Sequence, residues 1–166
     1  MTITYPKEEI ESIRRIIIEE QKTIAVAESV TAGLLQGAFS QATDARLFFQ
    51  GGITAFNVGQ KCRLLDVDPI HAQEHNAVSP KVANQMAEGV AWRLCSHYGI
   101  GVVGYAAPVP EKKIDLPYAW YAIYADGRIL ETNRLEGGKG DPLKVQLYYV
   151  QAIITALHQL LRFFNH

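Results

Sequence analysis

The chain has 166 residues, 48% hydrophobic and 20% charged, with a formal net charge of -1. That length suits one domain with a continuous core, and basic residues scattered among acidic ones leave no electrostatic footprint for a phosphate backbone, so nucleic acid is not an expected partner. No stretch approaches the roughly 18 apolar residues of a membrane span, and the acidic start, with Glu8, Glu9, Glu11, Glu19 and Glu20, is unlike a secretion signal. No membrane partner and a cytoplasmic location are therefore expected.

Pro6 suits a first helical turn, and Ile10, Ile13 and Ile17 recur at helical spacing behind it. Thr23 to Ala27 is a short apolar run that stops at Glu28-Ser29-Val30-Thr31-Ala32-Gly33, after which Leu34, Leu35, Ala38 and Phe39 resume a helical period. The pattern is strand, turn, helix. Leu47 to Phe56 reads as a second strand interrupted by Gly51-Gly52, where missing side chains let another backbone or a ligand approach. Val58 to Leu65 reads as a short helix, Asp68-Pro69 opens another, and Ser79-Pro80 caps a third with Val82, Met86 and Val90 along one face and Gly99 at its end. Cys62 and Cys95 both fall in helical segments with no disulfide-framework spacing, which fits a reducing interior.

Ile100 to Tyr105 reads as a buried strand, and the stretch through Pro108, Pro110 and Pro117 as loop. Tyr118 to Tyr124 and Ile129 to Leu135 form a hairpin across Asp126-Gly127. Leu143, Leu147, Val150, Ile154, Leu157 and Leu161 mark a long final helix. Helices between parallel strands and a late hairpin together predict an α/β fold, a three-layer α/β/α sandwich on a mixed sheet, with the whole chain as one domain.

The sharpest chemical candidate is Ser29, in the turn between a buried strand and a helix N-terminus, where orphan N–H groups and the helix dipole favour negative charge. Two readings stand: a nucleophile beside an oxyanion hole, or a plain helix cap supplied by Ser29 or Thr31. A nucleophilic serine needs a base. No histidine suggests itself, whereas Lys61 can serve if burial lowers its pKa.

These residues carry a resemblance. Ala27-Glu28-Ser29-Val30-Thr31-Ala32-Gly33-Leu34-Leu35, Gly51-Gly52-Ile53-Thr54-Ala55-Phe56, Lys61-Cys62-Arg63-Leu64-Leu65-Asp66-Val67 and Glu74-His75-Asn76-Ala77-Val78-Ser79 look like the AESCTGGLL, GGVVAYSN, KxxLLGV and EHGAVS segments of the CinA C-terminal domain family, in the same order and spacing. The resemblance runs from Thr23 to the final helix and is to the stand-alone form rather than to relatives with an additional N-terminal domain. It implies nicotinamide-nucleotide amidase activity: hydrolysis of the amide of nicotinamide mononucleotide to nicotinic acid mononucleotide and ammonia, with Ser29 as nucleophile and Lys61 as base. It also implies no metal and no cofactor, a small-molecule nucleotide or amide substrate, a homodimer, and substrate-binding positions at Glu28, Thr31, Gly33, Gly51, Gly52, Phe56 and Gly104.

Departures accompany the matches. The family tyrosine of AYSN is Phe56, TGIAGP reads Val103-Gly104-Tyr105-Ala106-Ala107-Pro108, PVGTVY reads Leu116-Pro117-Tyr118-Ala119-Trp120-Tyr121, and arginines near the last helix correspond to Pro142 and Gln146. Retained Ser29 and Lys61 favour an amidohydrolase; the altered positions favour a non-catalytic relative that keeps the fold as a ligand-binding or interaction module.

Weaker signals remain. His71-Ala72-Gln73-Glu74-His75 spells an inverted zinc-protease motif without a third ligand, so ordinary helix residues are the expectation. Gly137-Gly138-Lys139-Gly140-Asp141 reads first as a flexible turn and second as a phosphate wrap. Cys62 reads as an inward-packing helix residue. Tyr118, Trp120, Tyr121, Tyr124, Tyr148 and Tyr149 are either core and interface aromatics or stacking platforms for a ring.

Overall fold

The computed structural model describes residues 2–165. The elements run α1 (Lys7–Glu19), β1 (Ile24–Glu28), α2 (Leu34–Ser40), β2 (Phe49–Thr54), α3 (Val58–Leu65), α4 (Pro69–Glu74), α5 (Pro80–Arg93), β3 (Tyr98–Gly104), β4 (Tyr118–Ala125), β5 (Arg128–Glu136) and α6 (Pro142–Phe164). Short 3-10 turns occupy Ala45–Leu47 and Pro110–Lys112.

One five-stranded sheet has the order β2-β1-β3-β4-β5. β1 is parallel to β2 and to β3, and β3, β4 and β5 are successively antiparallel. The expected three-layer arrangement on a mixed sheet is what forms. Both faces are covered, so β1 is apolar without alternation and buried along its length. Ile24 and Val26 join one core with Ile10, Ile13 and Ile17 of α1, Phe39 of α2 and the inward face of α6. Ala25 and Ala27 join the other core, beneath α3, α4 and α5. The aromatics of β4 obey the two-residue period: Tyr121 and Ile123 face the first core, Trp120 and Tyr124 the second.

Capping follows the expected chemistry. The Ser79 hydroxyl accepts from Val82 N, Asp68 from Ile70 N and His71 N, and Asp141 from Lys144 N, each with proline at the start of its helix. Asp126 (φ 52°) and Gly127 (φ 78°) are both left-handed, as a two-residue hairpin turn requires.

Three expectations need correction. The second strand is shorter than Leu47 to Phe56, because the chain first makes the 3-10 turn at Ala45–Leu47. α5 ends at Arg93, not at Gly99, because Cys95 adopts a left-handed conformation (φ 51°) and Ser96 N donates back to Ala91 O at 2.9 Å. Cys95 therefore lies just beyond α5, exposed, while Cys62 does sit in α3.

Gly99 belongs to β3, where its missing side chain matters differently. A Cβ there would collide with the Ala87 carbonyl oxygen; one at Gly101 would collide with the Ala83 carbonyl oxygen and lie 2.6 Å from Ala87 N. α5 thus rests its backbone on β3 through Ala83, Ala87 and Ala91. Gly101→Ala should cost about 1–3 kcal/mol by overpacking, read as a lower denaturation midpoint at an unchanged m value; a midpoint equal to wild type would refute this close packing.

Candidate active site

β1 and β3 are parallel neighbours; the chain passes from β1 into α2 in the first core, and from β3 it turns back into antiparallel β4. A crevice outside the carboxyl ends of such strands is the usual ligand position in open α/β sheets. Ser29 follows β1 directly, and its N–H donates to Val102 O of β3 at 3.1 Å. The turn is therefore fastened to the strand that supplies the opposite wall.

Glu28 holds the rest of the turn. Its side chain is fully buried, and its carboxylate accepts from Thr31 Oγ1 (2.6 Å), Leu35 N (2.8 Å) and Gln36 N (3.0 Å). These bonds satisfy orphan donors at the start of α2, whose N-cap Gly33 (φ 97°) has no side chain to do so. The cap is Glu28, and neither alternative considered from the sequence. Ser29 is consequently released: its hydroxyl has no hydrogen-bond partner among the described residues, and the Val30 and Thr31 N–H groups likewise have no protein acceptor there. Ala32 is left-handed as well (φ 47°), so the tight turn carries backbone strain next to the serine.

Lys61 reaches the same place from α3. Asn57 caps that helix by accepting from Gln60 N at 2.9 Å, and Lys61 occupies its buried face beside Leu65. Only 3% of Lys61 is exposed. Its Nζ donates to the Phe56 carbonyl oxygen at 3.1 Å, and desolvation pushes its pKa down to about 8. No hydrogen bond joins Lys61 Nζ to Ser29 Oγ among the described residues.

Ser29 and Lys61 line one cleft of about 410 Å3, with Val30, Val103, Gly104 and Tyr105 among its other walls. Phe56 turns its ring outward at the rim, 73% exposed, while its carbonyl anchors the lysine. Of the positions expected from sequence, Ser29, Lys61, Phe56 and Gly104 meet at this cleft. Glu28, Thr31 and Gly33 lie behind it in the capping arrangement. Gly51 (φ 114°) sits at a bulge where Ile24 pairs with Phe49 and Ala25 with Gly51, and has no neighbour in the place a Cβ would take, whereas Gly52 presses on Val26 O and Gln36, so protein fills the space beside Gly52; neither glycine lines the cleft.

Other signals resolve into structure. His71 Nε2 pairs with Ser79 Oγ at 2.7 Å and its ring stacks on His75 at 4.0 Å. Burial, then the neighbouring His75 and Lys81, lower the His71 pKa, while Asp68 and Glu74 oppose that shift. Tyr121 bonds Glu131, and the Tyr149 hydroxyl donates to Tyr105 O at 2.9 Å, so these aromatics are core. Asp141 caps α6, and Gly137 N donates to Pro117 O at 2.7 Å.

The wall residues that sequence reasoning did not assign to the site include Asn76, Tyr105, Lys112 and Gln146. Gln146 Nε2 donates to Val30 O at 2.8 Å, tying α6 to the serine turn. The signal that points to Tyr105 is its position just past the end of β3, beside the end of β1; nothing in the local sequence marks Lys112.

The fold and cleft define a three-layer α/β/α domain with a free strand-end serine facing a buried lysine. The chain belongs to the CinA C-terminal domain family, whose model matches residues 7–161. Among curated relatives, a "CinA-like protein" of Thermosynechococcus vestitus is 34% identical over 152 residues, covering 90% of this chain and 36% of that protein. A "CinA-like protein" of Frankia casuarinae is 32% identical over 149 residues, covering 88% and 33%. The chain thus spans about a third of the length of these relatives. A CinA superfamily protein from Klebsiella pneumoniae superposes with a TM-score of 0.88 at 27% identity, covering 96% of this chain and 99% of that one. One from Escherichia coli superposes at 0.87 with 26% identity, covering 96% and 94%. No helix among the described residues is long and apolar enough to cross a membrane.

The capping arrangement and the buried amine each make a prediction. Glu28→Ala strands buried donors and should destabilise by roughly 2–4 kcal/mol, whereas Ser29→Ala should stay within about 0.5 kcal/mol; equal losses in urea unfolding would contradict Glu28 as the cap. For Lys61, the folded pKa lies below the unfolded value of 10.5, so the unfolded chain binds more protons between pH 8 and that value. Stability of wild type relative to Lys61→Met should rise across that window by roughly 1–2 kcal/mol and be flat below it. A difference independent of pH up to 10 would contradict the depressed amine.

Proposed function

We propose that the cleft hydrolyses a small amide, with nicotinamide mononucleotide as the first substrate to test, giving nicotinic acid mononucleotide and ammonia. The observation that carries this reading is a serine whose hydroxyl no group among the described residues holds and a desolvated lysine, pKa about 8, walling the same cleft. At pH 7 about a tenth of such an amine is neutral, enough for a general base and close to the range in which acid and base roles interchange.

Ser29 Oγ attacks the amide carbon as its proton passes to Lys61 Nζ. The tetrahedral oxyanion falls beside the Val30 N–H, the first backbone donor after the nucleophile, at the N-terminal side of α2. Lys61 then returns the proton to the departing nitrogen, releasing ammonia and leaving an acyl ester on Ser29. Water attacks that ester, again losing a proton to Lys61, and the acid leaves as Ser29 is reprotonated. This cycle requires Lys61 Nζ to come within hydrogen-bond reach of Ser29 Oγ, which its lone pair can meet while an N–H still donates to Phe56 O. Unoccupied sites commonly hold such bonds long or diverted.

A second reading, a ligand-binding domain without turnover, is favoured by the lack of a Lys61–Ser29 hydrogen bond among the described residues and by the rim position of Phe56, whose ring offers no hydroxyl to relay a proton. Ammonia release from nicotinamide mononucleotide separates the two. Wild type should show turnover that Ser29→Ala lowers by about 10^3-fold or more, and kcat/KM should climb with pH along a one-proton curve centred near 8 that Lys61→Met abolishes. Turnover identical in wild type and Ser29→Ala, or none in either, would leave the binding reading.

A further inference from the structure

The walls of the cleft carry charge of one sign. Lys61 and Lys112 line it, and no aspartate or glutamate does. Lys61 is sequestered at the buried end, whereas Lys112 stands exposed at the mouth. Among the described residues Lys112 enters no ion pair. A low-dielectric crevice with unopposed positive charge concentrates field on an anion that enters it.

Lys112 is also held in place. It sits on the 3-10 turn Pro110–Lys112, and that turn is closed by reciprocal bonds, Val109 N to Ile114 O at 2.9 Å and Ile114 N to Val109 O at 3.1 Å. Its Nζ lies 5.9 Å from the centre of the Tyr105 ring, which packs edge-on against Tyr118 at 5.5 Å, and Arg134 stacks on the far side of this pair at 3.9 Å from the Tyr118 ring. The Tyr105 main chain is pinned as well, its N donating to Tyr118 O and its carbonyl accepting from the Tyr149 hydroxyl, both at 2.9 Å. An ammonium set on such a supported ring loses less freedom on binding than one on an unrestrained surface side chain.

We propose that Lys112, carried on the Tyr105 ring by the closed 109–114 turn, is a specificity-determining residue that binds a phosphate monoester on the end of the substrate remote from the scissile amide. This rests on the hydrolytic reading of the cleft for the position of that amide, but not for the existence of the anion subsite. A dianion gains most from a single unpaired cation, because the attraction scales with the charge. The glycine-rich loop at Gly137–Asp141 contributes no side chain to the walls, so Lys139 is not the residue in question.

The test compares nicotinamide mononucleotide with nicotinamide riboside, which has the same amide and no phosphate, on wild type, Lys112→Met and the control Lys139→Met. The kcat/KM preference for the mononucleotide should fall about tenfold in Lys112→Met, chiefly through KM, and persist in Lys139→Met, and it should weaken with added salt in wild type. A preference that Lys112→Met leaves within twofold of wild type overturns the proposal. Calorimetric binding of the same two compounds to Ser29→Ala and to Ser29→Ala with Lys112→Met keeps the proposal independent of turnover. Absent turnover with a Lys112-dependent preference in binding sinks the hydrolytic reading and upholds the subsite; serine-dependent turnover with no Lys112-dependent preference does the reverse; binding of neither compound overturns the subsite.

Discussion

The site depends on one buried carboxylate. Glu28 is the last residue of β1, yet its side chain does what a capping residue at the start of α2 ordinarily does, collecting Thr31 Oγ1, Leu35 N and Gln36 N. A charged acceptor in a dry interior is tolerable only when its lone pairs are well used, and here they are used to hold a strand and a helix at a fixed angle across a strained turn. Because the cap comes from outside the turn, the residues within it keep their polar groups free. Ser29 and Val30 accordingly line the cleft, while Thr31 stays buried behind it with its hydroxyl on the carboxylate.

The sheet then decides what faces that turn. β1 is flanked on both sides by parallel strands, so the ends of β2, β1 and β3 lie together at one edge of the sheet. Phe56 follows β2, Ser29 follows β1 and Tyr105 follows β3, which places residues far apart in sequence around a single opening. α3, directly after β2, delivers Lys61 to the base of it, and Gln146 from α6 closes the other side by bonding Val30 O. The antiparallel β4 and β5 take no part in the opening itself; they support the Tyr105–Tyr118 pair on its rim.

Most of the architecture was legible in the sequence, and for identifiable reasons. Caps at Asp68, Ser79 and Asp141, the Asp126-Gly127 turn and the spacing of isoleucines in α1 are local signals, and local signals survive folding. The start of β2 was misread because the chain first makes a 3-10 turn at Ala45–Leu47, and the end of α5 because Gly99, which looks like a helix stop, serves the close approach of β3 to α5. At the site, Ser29 and Lys61 could be found because each is an unusual residue for its setting and the surrounding segments resemble a family. Glu28 could not be assigned its role, since a carboxylate at a strand end looks the same whether it binds a ligand or caps a helix seven residues on. Lys112 left no sequence trace at all, because its significance comes from the Tyr105 ring beneath it and from the absence of acidic neighbours across the cleft.

The glycines of β3 have a bearing beyond packing. Where α5 meets the sheet, the separation of layers is set by main-chain atoms and alanine methyls, not by side chains that can be exchanged for longer or shorter ones. The segment that leads into α5, with Asn76 and Val78 on the wall of the opening, inherits that fixed spacing. The bore of the opening is accordingly a dimension of the scaffold in this chain, and its shape can be altered by exchanging side chains on the rim, at positions such as 56, 105 and 112, more readily than by widening the gap between layers.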